Sequence, residues 1–357
     1  MSLFNKIFGN KEEASSKISK DFYSLKISKK EFLTPNMVQF SFDTSGIESE
    51  FAYIPGQYVN LNVNINGKKE RRSYSICSGK DDPLAIAVKR VENGIVSNYL
   101  IDNLDVEQEI EISSPDGNFQ YKGNDKNVMA IAAGSGITPI VSIIKEVEAQ
   151  KGFCQLFFAN KIEEEIAFKE TIDKLNKTNT TYYLSREEKE GFSHGRIDKE
   201  SFTAEIKKDL SLLKYDAYYL CGPAEMIRDL EDVLYMFGVS KDKIHHELFT
   251  PPSEKLEDKE ITFNSTSNVK VVLDDEMVEF DLAPNGSSIL DKVNDEGLDA
   301  PYSCRGGVCS TCRAKVLKGT AMMKVNYSLT DKEVEDGYVL TCQAYPTSDE
   351  LIVSYDE

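Results

Sequence analysis

The chain has 357 residues, which is too long for one compact core and suits two or three domains. Its composition, 40% hydrophobic and 29% charged residues, is typical of a globular protein that folds in water. The net charge of −18 argues against nucleic acid and anionic membranes as partners, because both are bound through clustered lysine and arginine. The most apolar stretch, residues 128–144, is interrupted by glycine and proline, which argues against a membrane span and favours a cytoplasmic location.

The N-terminal part predicts a flexible tail over residues 1–20 and a β domain over residues 21–124. The tail has no apolar segment of signal-peptide length and soon becomes charged and serine-rich. The β domain contains short runs that alternate apolar and polar residues, namely "FYSLKIS", "MVQFSFD", "QYVNLNVNI" and "LAIAVKRV". Runs with this period and spacing predict an antiparallel barrel or sandwich.

Residues 125–249 show a different pattern, in which buried strands alternate with helices. The predicted strands are "NVMAIAA", "CQLFFAN", "TTYYLS", "YDAYYLCG" and finally "KIHHELF". The predicted helices between them are "TPIVSIIKEVEAQ", "EEIAFKETIDKLNK", residues 199–209 and "PAEMIRDLEDVLYMFG". This alternation predicts an α/β domain with a parallel sheet covered on both faces.

The stretch "TPPSEKLEDKE", residues 250–260, is rich in proline and charge and predicts a linker. In residues 261–357 that follow, "NVKVVL" and "MVEFDL" predict a hairpin and "SSILDKVNDEG" a short helix. This last domain carries 17 acidic and eight basic residues, half of the net charge of the chain. The imbalance favours docking on a basic protein surface, although acidity also confers solubility alone.

Four of the seven cysteines lie after residue 300, at Cys304, Cys309, Cys312 and Cys342. Without a secretory signal, cysteines in this number are expected to be ligands or reactive thiols. The spacing C-x4-C-x2-C followed by a distant cysteine is that of plant-type [2Fe–2S] ferredoxins. Zinc is the weaker alternative, because structural zinc sites usually pair two C-x2-C knuckles, and a redox pair would leave two cysteines unexplained.

The residues around these cysteines strengthen the cluster interpretation. "APYSCRGGVCSTCRAKV" together with "VLTCQAYP" closely resembles the plant-type ferredoxin family over residues 261–357. The resemblance implies a small α+β domain with the β-grasp fold and one-electron transfer. It also implies that all four cysteines are ligands of the cluster.

The first domain contains "RRSYSICS", which has the R-x-Y-S pattern of the ferredoxin-reductase family. "PGQYVNL" upstream and "NGIVSNYL" downstream occur in the same order as in that family. The resemblance implies an antiparallel β-barrel that binds a flavin, with Tyr74 packed on the flavin ring and Ser75 near its N5 atom. FAD is favoured over FMN, because the G-x-V-S helix start matches the FAD-binding members. The resemblance gives phosphate-binding or flanking roles to Arg72, Ser73, Gly94, Ile95, Val96 and Ser97. On its own, R-x-Y-S also fits an ordinary strand with an exposed arginine.

Two motifs of the second domain resemble the same family. "AIAAGSGITPI" places Gly134, Ser135 and Gly136 after a strand, and Thr138 and Pro139 open a helix whose start can hold dinucleotide phosphates. "YLCGPAEM" follows in the family's order, and the resemblance implies that Cys221, Gly222 and Pro223 lie near the nicotinamide. Cys221 is then a catalytic residue with Tyr74 and Ser75, or alternatively a buried thiol at a strand end.

Coenzyme choice depends on Ser185 and Arg186, which follow a predicted strand. An arginine there can pair with a 2′-phosphate and favours NADPH, whereas the adjacent Glu187 and Glu188 keep NADH open. Phe249, at the end of the domain, is expected either near the flavin or in the core of the last strand.

Taken together, residues 22–357 resemble the reductase components of bacterial oxygenase systems. The resemblance implies a multidomain oxidoreductase that takes a hydride from NAD(P)H on FAD and passes single electrons through [2Fe–2S] to a partner oxygenase. The systems that it resembles most are those of phenylacetyl-CoA epoxidases, which are di-iron enzymes, and of ketosteroid hydroxylases. A reductase for a hybrid-cluster or nitric-oxide detoxification protein, or a scaffolding module with degenerate cofactor sites, are the alternatives.

Overall fold

A computed structural model describes residues 22–249, 251, 263–283 and 286–357. The predicted tail and all but one residue of the predicted linker lie outside the described residues. Three main sheets follow one another along the chain, one antiparallel, one parallel and one mixed. No helix in the described part of the chain is long and apolar enough to cross a membrane.

The first sheet has six strands in the order β4-β3-β6-β1-β2-β5. They are β1 Phe22–Thr34, β2 Met37–Asp43, β3 Tyr58–Ile65, β4 Lys68–Ser75, β5 Ala85–Lys89 and β6 Glu109–Ser113, with one helix, α1 Ile95–Asn103. All the pairings are antiparallel, and a bridge from Ile76 to Ile86 joins the end of β4 to β5. The alternating residues point into one apolar core, so the predicted antiparallel barrel is confirmed.

Strand β4 was not predicted by apolar alternation, because its sequence "KKERRSYS" is polar. It forms because residues 66 and 67 make a two-residue turn that returns the chain along β3. Asn66 and Gly67 have φ of 54° and 77°, the left-handed conformation that such hairpin turns require. Eight residue pairs then join the two strands, from Tyr58↔Ser75 to Ile65↔Lys68.

The second sheet is parallel, with the order β10-β9-β8-β7-β11-β12. Its strands are β7 Asn127–Ala133, β8 Phe153–Asn160, β9 Thr178–Leu184, β10 Ser193–His194, β11 Ala217–Cys221 and β12 Ile244–Glu247. Its helices are α2 Ile137–Ala149, α3 Lys169–Asp173, α4 Lys199–Lys208 and α5 Ala224–Met236. Two separate apolar clusters form around the sheet, which confirms the predicted α/β domain.

One predicted helix of this domain is wrong. The stretch "EEIAFKETIDKLNK" forms only a short 3-10 turn, Glu163–Glu165, and the five-residue α3. Phe168 has a φ of 59°, which an α-helix cannot accommodate, and it is buried with Ile166 and Ala167. Burying three consecutive apolar residues in the core overrides the helical propensity of the segment.

The third domain has a mixed five-stranded sheet in the order β14-β13-β19-β15-β17, beside a two-stranded sheet β16-β18. Its strands are β13 Ser267–Leu273, β14 Glu276–Leu282, β15 Arg313–Lys318, β16 Ala321–Met323, β17 Tyr338–Leu340, β18 Ala344–Pro346 and β19 Glu350–Ser354. Its helices are α6 Ile289–Asp295 and α7 Asp331–Glu335. The predicted hairpin and short helix are confirmed: Asp274 and Asp275 form the turn, and Ser288 caps α6. The domain is thus α+β, in agreement with the predicted β-grasp fold.

Candidate active site

A single cleft of about 1910 Å³ is lined by all three domains. It brings together motifs that are more than 200 residues apart in the sequence. The predicted site residues that line it are Arg72, Ser73, Tyr74, Ser75, Gly94, Ile95, Val96, Ser97, Ser135, Thr138, Phe249, Cys304 and Cys309. The flavin motif, the dinucleotide turn and the cysteine loop therefore face one common space.

The R-x-Y-S motif lies at the end of β4, on the wall of the cleft. Ser73 Oγ donates to Asn60 Oδ1 at 2.8 Å, and Ser75 Oγ donates to Glu247 Oε2 at 3.3 Å. Burial raises the pKa of Tyr74 well above its ordinary value, while the charge of Arg72 opposes this shift. Tyr74 is therefore a neutral phenol whose aromatic ring can pack against a flavin.

Two groups on this wall are suited to the phosphates of FAD. Arg72 contacts Arg71 O at 2.7 Å and Glu70 Oε2 at 3.2 Å, both through Nη1. Its Nε and Nη2 have no partner in the described part of the chain, which leaves one edge of the guanidinium for a phosphate. Helix α1 begins after Gly94 with no side chain capping its first turn, so its free N–H groups can bind an anion. These residues fit FAD.

Glu247 is a site residue that the sequence analysis missed. It ends β12, pairs in register with Cys221 of β11, and lines the cleft beside Ser75. Burial raises its pKa to about 8, so this carboxyl is mostly protonated at neutral pH. No motif marks it, and the sequence shows only an acidic residue near the end of the last predicted strand, "KIHHELF".

The dinucleotide turn is packed closely against β11. A Cβ on Gly136 would lie 2.1 Å from the carbonyl oxygen of Cys221, so only glycine fits between β7 and α2 here. Thr138 Oγ1 donates to Ser135 O at 3.0 Å and fixes the turn, and Pro139 lies in the first turn of α2. The start of α2 has no side-chain cap and can hold a diphosphate.

Cys221 itself is fully buried at the end of β11 and is not among the residues that line the cleft. Burial, and then the nearby Glu247, raise the pKa of its thiol well above the ordinary value. Gly222 and Pro223 lead from it into α5. The catalytic role of Cys221 stays a prediction.

Ser185 and Arg186 follow β9, two strands away from β7, and do not line the cleft. The Arg186 side chain is exposed and has no partner among the residues described. Glu187, in contrast, accepts a hydrogen bond from Glu163 N at 2.8 Å. Phe249 is 39% exposed and lines the cleft, so its expected alternative as a core residue is wrong.

The four cysteines lie as two pairs. Cys309 Sγ and Cys304 Sγ are 3.1 Å apart, and the Cys342 thiol is close enough to Cys312 to raise the pKa of the Cys312 thiol. Within the described residues, no group of three or more His, Cys, Asp or Glu side chains is placed to hold one metal ion. Two thiol pairs suit the two irons of a [2Fe–2S] cluster better than a single tetrahedral zinc.

The loop backbone also favours thiolates. The N–H groups of Gly306 and Cys309 each donate to Cys304 Sγ at 3.4 Å. Arg305 and Gly307 have φ of 52° and 74°, which turns the loop around the sulfurs. The Cys309 thiol and these N–H groups lower the pKa of Cys304 to about 5. The residues present thus fit the cluster.

Comparison with known proteins agrees with this geometry. Residues 24–121 match an oxidoreductase FAD-binding domain, residues 130–232 an oxidoreductase NAD-binding domain, and residues 271–347 a 2Fe-2S iron-sulfur cluster binding domain. One component of the 1,2-phenylacetyl-CoA epoxidase from Escherichia coli K12 is 33% identical over 349 residues, 94% of this chain and 98% of that protein. The ferredoxin reductase component of 3-ketosteroid-9-alpha-monooxygenase from Mycobacterium tuberculosis H37Rv is 30% identical over 85% of this chain and 86% of that protein.

Among solved structures, phthalate dioxygenase reductase covers 93% of this chain and 98% of its own, with a TM-score of 0.57 and 23% identity. Its three-domain fold is shared by this chain. The chain belongs to the ferredoxin–NADP reductase-like flavoproteins that carry a C-terminal plant-type [2Fe–2S] ferredoxin domain, and it is an oxidoreductase that uses NAD(P)H, FAD and a [2Fe–2S] cluster.

Proposed function

We propose that the chain is the reductase component of an oxygenase, specifically of a phenylacetyl-CoA epoxidase-type di-iron enzyme. The observation that carries the proposal is the single cleft shared by the flavin motif, the dinucleotide turn and the cysteine loop. When bound, FAD accepts a hydride from NAD(P)H, and the cluster passes electrons on singly. The chain converts a two-electron donor into a source of single electrons.

The residues of the cleft orient the reactants and control protons. The ring of Tyr74 offers a flat face for the flavin, and the exposed Phe249 lies on the same cleft. Ser75 and Glu247 form a hydrogen-bonded pair that can hold a proton near the flavin. The Gly134–Gly136 turn and the first turn of α2 bind the phosphates of the coenzyme.

The choice of partner rests on the relative from E. coli, which aligns along nearly the whole chain. A test is to supply purified epoxidase oxygenase component with this reductase and NADPH, and to measure epoxidation of phenylacetyl-CoA. We expect coupled product formation, and none with Cys342→Ser. If NADPH is oxidised without epoxide formation, and a ketosteroid monooxygenase turns over with this reductase, the partner is a ketosteroid monooxygenase instead.

We further propose NADPH as the preferred coenzyme. Within the described part of the chain, the Arg186 guanidinium at the carboxyl end of β9 has no partner, whereas Glu187 accepts a hydrogen bond from the backbone of Glu163. Arg186→Ala should lower kcat/KM for NADPH about tenfold or more and change that for NADH about twofold or less. Lys207→Ala, at an exposed position of α4, serves as the control. An equal loss of kcat/KM with NADPH and NADH in Arg186→Ala would show that Arg186 does not bind the 2′-phosphate.

We propose a cytoplasmic location for this reaction, since none of the seven cysteines forms a disulfide. A scaffolding role is not favoured, because every motif position holds a residue whose chemistry suits the expected cofactor. Measuring flavin and iron in the purified protein separates the two hypotheses: a chain that retained neither would be a scaffold.

A further inference from the structure

The ferredoxin domain rests on the two barrel strands that carry flavin-site residues. Ser73 Oγ of β4 lies 2.7 Å from Ser303 Oγ and can accept a hydrogen bond from it, since the Ser73 proton goes to Asn60 Oδ1. The hydroxyl of Tyr58 in β3 lies 3.0 Å from Thr311 Oγ1 and 3.4 Å from Ser310 Oγ. Ser303 immediately precedes the first cluster cysteine, and the other two lie between Cys309 and Cys312. The cluster loop itself therefore forms this interface.

A buried arginine lies in the same interface. Arg71 is 2% exposed, and its Nε donates to Asn62 Oδ1 at 2.7 Å within the barrel. Its Nη2 lies 3.3 Å from both carboxylate oxygens of Asp299 in the ferredoxin domain. Asp299 is the one carboxylate within ion-pair distance of Arg71 in the described ranges. The buried positive charge is thus balanced across the domain boundary.

Aromatic contacts of Arg71 cross the same boundary. Its Cζ lies 4.7 Å from the ring centroid of Phe22 in β1 and 5.0 Å from that of Tyr302. Tyr302 is two residues before Cys304. The Cζ atom of Arg305 also lies over its ring, 4.4 Å from the ring centroid. A guanidinium is weakly hydrated and stacks on aromatic rings, so it tolerates burial in this place where an ammonium would not.

The two neighbouring arginines of "RRSYS" have different environments because successive side chains of a strand point to opposite faces. Arg72 lines the cleft, where the phosphate of FAD is expected. Arg71 faces Asp299 and Tyr302 instead. Of these two arginines, Arg72 therefore points to the expected phosphate of FAD and Arg71 to the ferredoxin domain.

We propose that Arg71 is a positioning residue that fixes the ferredoxin domain on the barrel for electron transfer. Asp299 and Tyr302 are the residues of the ferredoxin domain that it contacts. An ion pair with one buried partner, here Arg71 at 2% exposure against Asp299 at 41%, contributes orientation and register more than net stability. The electron passes from the flavin site to the cluster site only while the cluster loop is held against β3 and β4. This inference rests on the two cofactor sites and is independent of which oxygenase is the partner.

The test uses the full-length protein loaded with both cofactors, under anaerobic conditions. Rapid mixing with NADPH is followed separately at the flavin and cluster absorbance bands. Arg71→Met keeps the volume of the side chain and removes its charge, and we expect cluster reduction to slow about tenfold or more while flavin reduction changes about twofold or less. Lys241→Met is the matched control, because Lys241 also bridges to the ferredoxin domain, at Asp331, through a fully exposed pair 2.9 Å long.

A second readout does not depend on electron transfer. Hydrogen exchange of the backbone amides in residues 58–62 and 302–311 should accelerate in Arg71→Met and stay at the wild-type rate in Lys241→Met. If Arg71→Met loses its flavin, Asp299→Asn tests the contact from the ferredoxin side, together with the exposed ion pair of Asp299 with Lys69, 2.9 Å long, which the same change removes. Wild-type rates of cluster reduction and exchange in both Arg71→Met and Asp299→Asn would overturn the proposal.

Discussion

At the scale of single residues, the hydrogen bond from Ser75 to Glu247 joins the flavin motif to the last strand of the nucleotide domain. The half-buried Glu247 carboxyl, which accepts the hydrogen bond of Ser75, keeps its proton at neutral pH because burial disfavours the charged form. The sequence predicted Ser75 through its motif. It could not predict Glu247, because the residue is defined by the pairing of β12 with β11 and not by any local pattern.

This pair makes stability depend on pH in a definite direction. The pKa of Glu247 is raised from 4.5 to about 8, so the folded state binds the proton more tightly than the unfolded state. The free energy of unfolding should therefore fall by about 1–3 kcal/mol as pH rises from about 5 to about 8, after allowing for partial solvent exposure of the carboxyl. Above about pH 8 it should stay level. Glu247→Gln should remove this fall.

The urea midpoint, followed by flavin fluorescence between pH 5 and pH 9, measures the effect. The exposed Glu276→Gln is the control and should follow the wild type. A Glu247→Gln profile parallel to the wild-type profile would show that the carboxyl titrates at its ordinary pKa.

Cys342 tests the cluster at the same scale. Cys342→Ser should abolish reduction of a one-electron acceptor such as cytochrome c, because one iron loses one of its two thiolates, and should leave flavin reduction by NADPH intact. Cys154→Ser changes a buried cysteine of the second domain and should retain the cluster absorbance. If Cys342→Ser reduced cytochrome c at the wild-type rate, the cluster would not lie on the electron path.

At the scale of elements, the turn between β7 and α2 decides how closely the coenzyme approaches the sheet. Gly136→Ala would push a methyl group against the Cys221 carbonyl, and overpacking of this kind costs about 1–3 kcal/mol. We expect KM for NADPH to rise about tenfold, since the turn that binds the diphosphate must shift. Flavin content and absorbance should stay at wild-type values. An unchanged KM would mean that the diphosphate binds elsewhere.

Most elements could be predicted from periodicity, and the exceptions have physical reasons. The barrel strands and α2 bury regular apolar faces, so their patterns are local. Strand β4 is polar and depends on the Asn66–Gly67 turn and on its partner β3. The expected helix around residue 168 was lost to tertiary packing, since Phe168 inserts into the core in a left-handed conformation.

At the scale of the whole molecule, the motifs predicted three sites but not their convergence. The cleft depends on how three sheets pack, and its interdomain contacts, such as Ser73 with Ser303 and Arg71 with Asp299, join residues about 230 positions apart. Such contacts leave no trace in local sequence. They place the cluster loop against β4, the strand that carries the R-x-Y-S motif. Single electrons can then pass from the flavin site to the cluster over a short distance.

Anaerobic titration with NADPH tests the central claim, that hydride equivalents entering this chain leave as single electrons through the cluster. One FAD and one [2Fe–2S] cluster hold three electrons, so we predict an endpoint at about 1.5 equivalents of NADPH, with both the flavin and the cluster absorbance bleached. An endpoint at about one equivalent, with the flavin bleached and the cluster unchanged, would contradict the account.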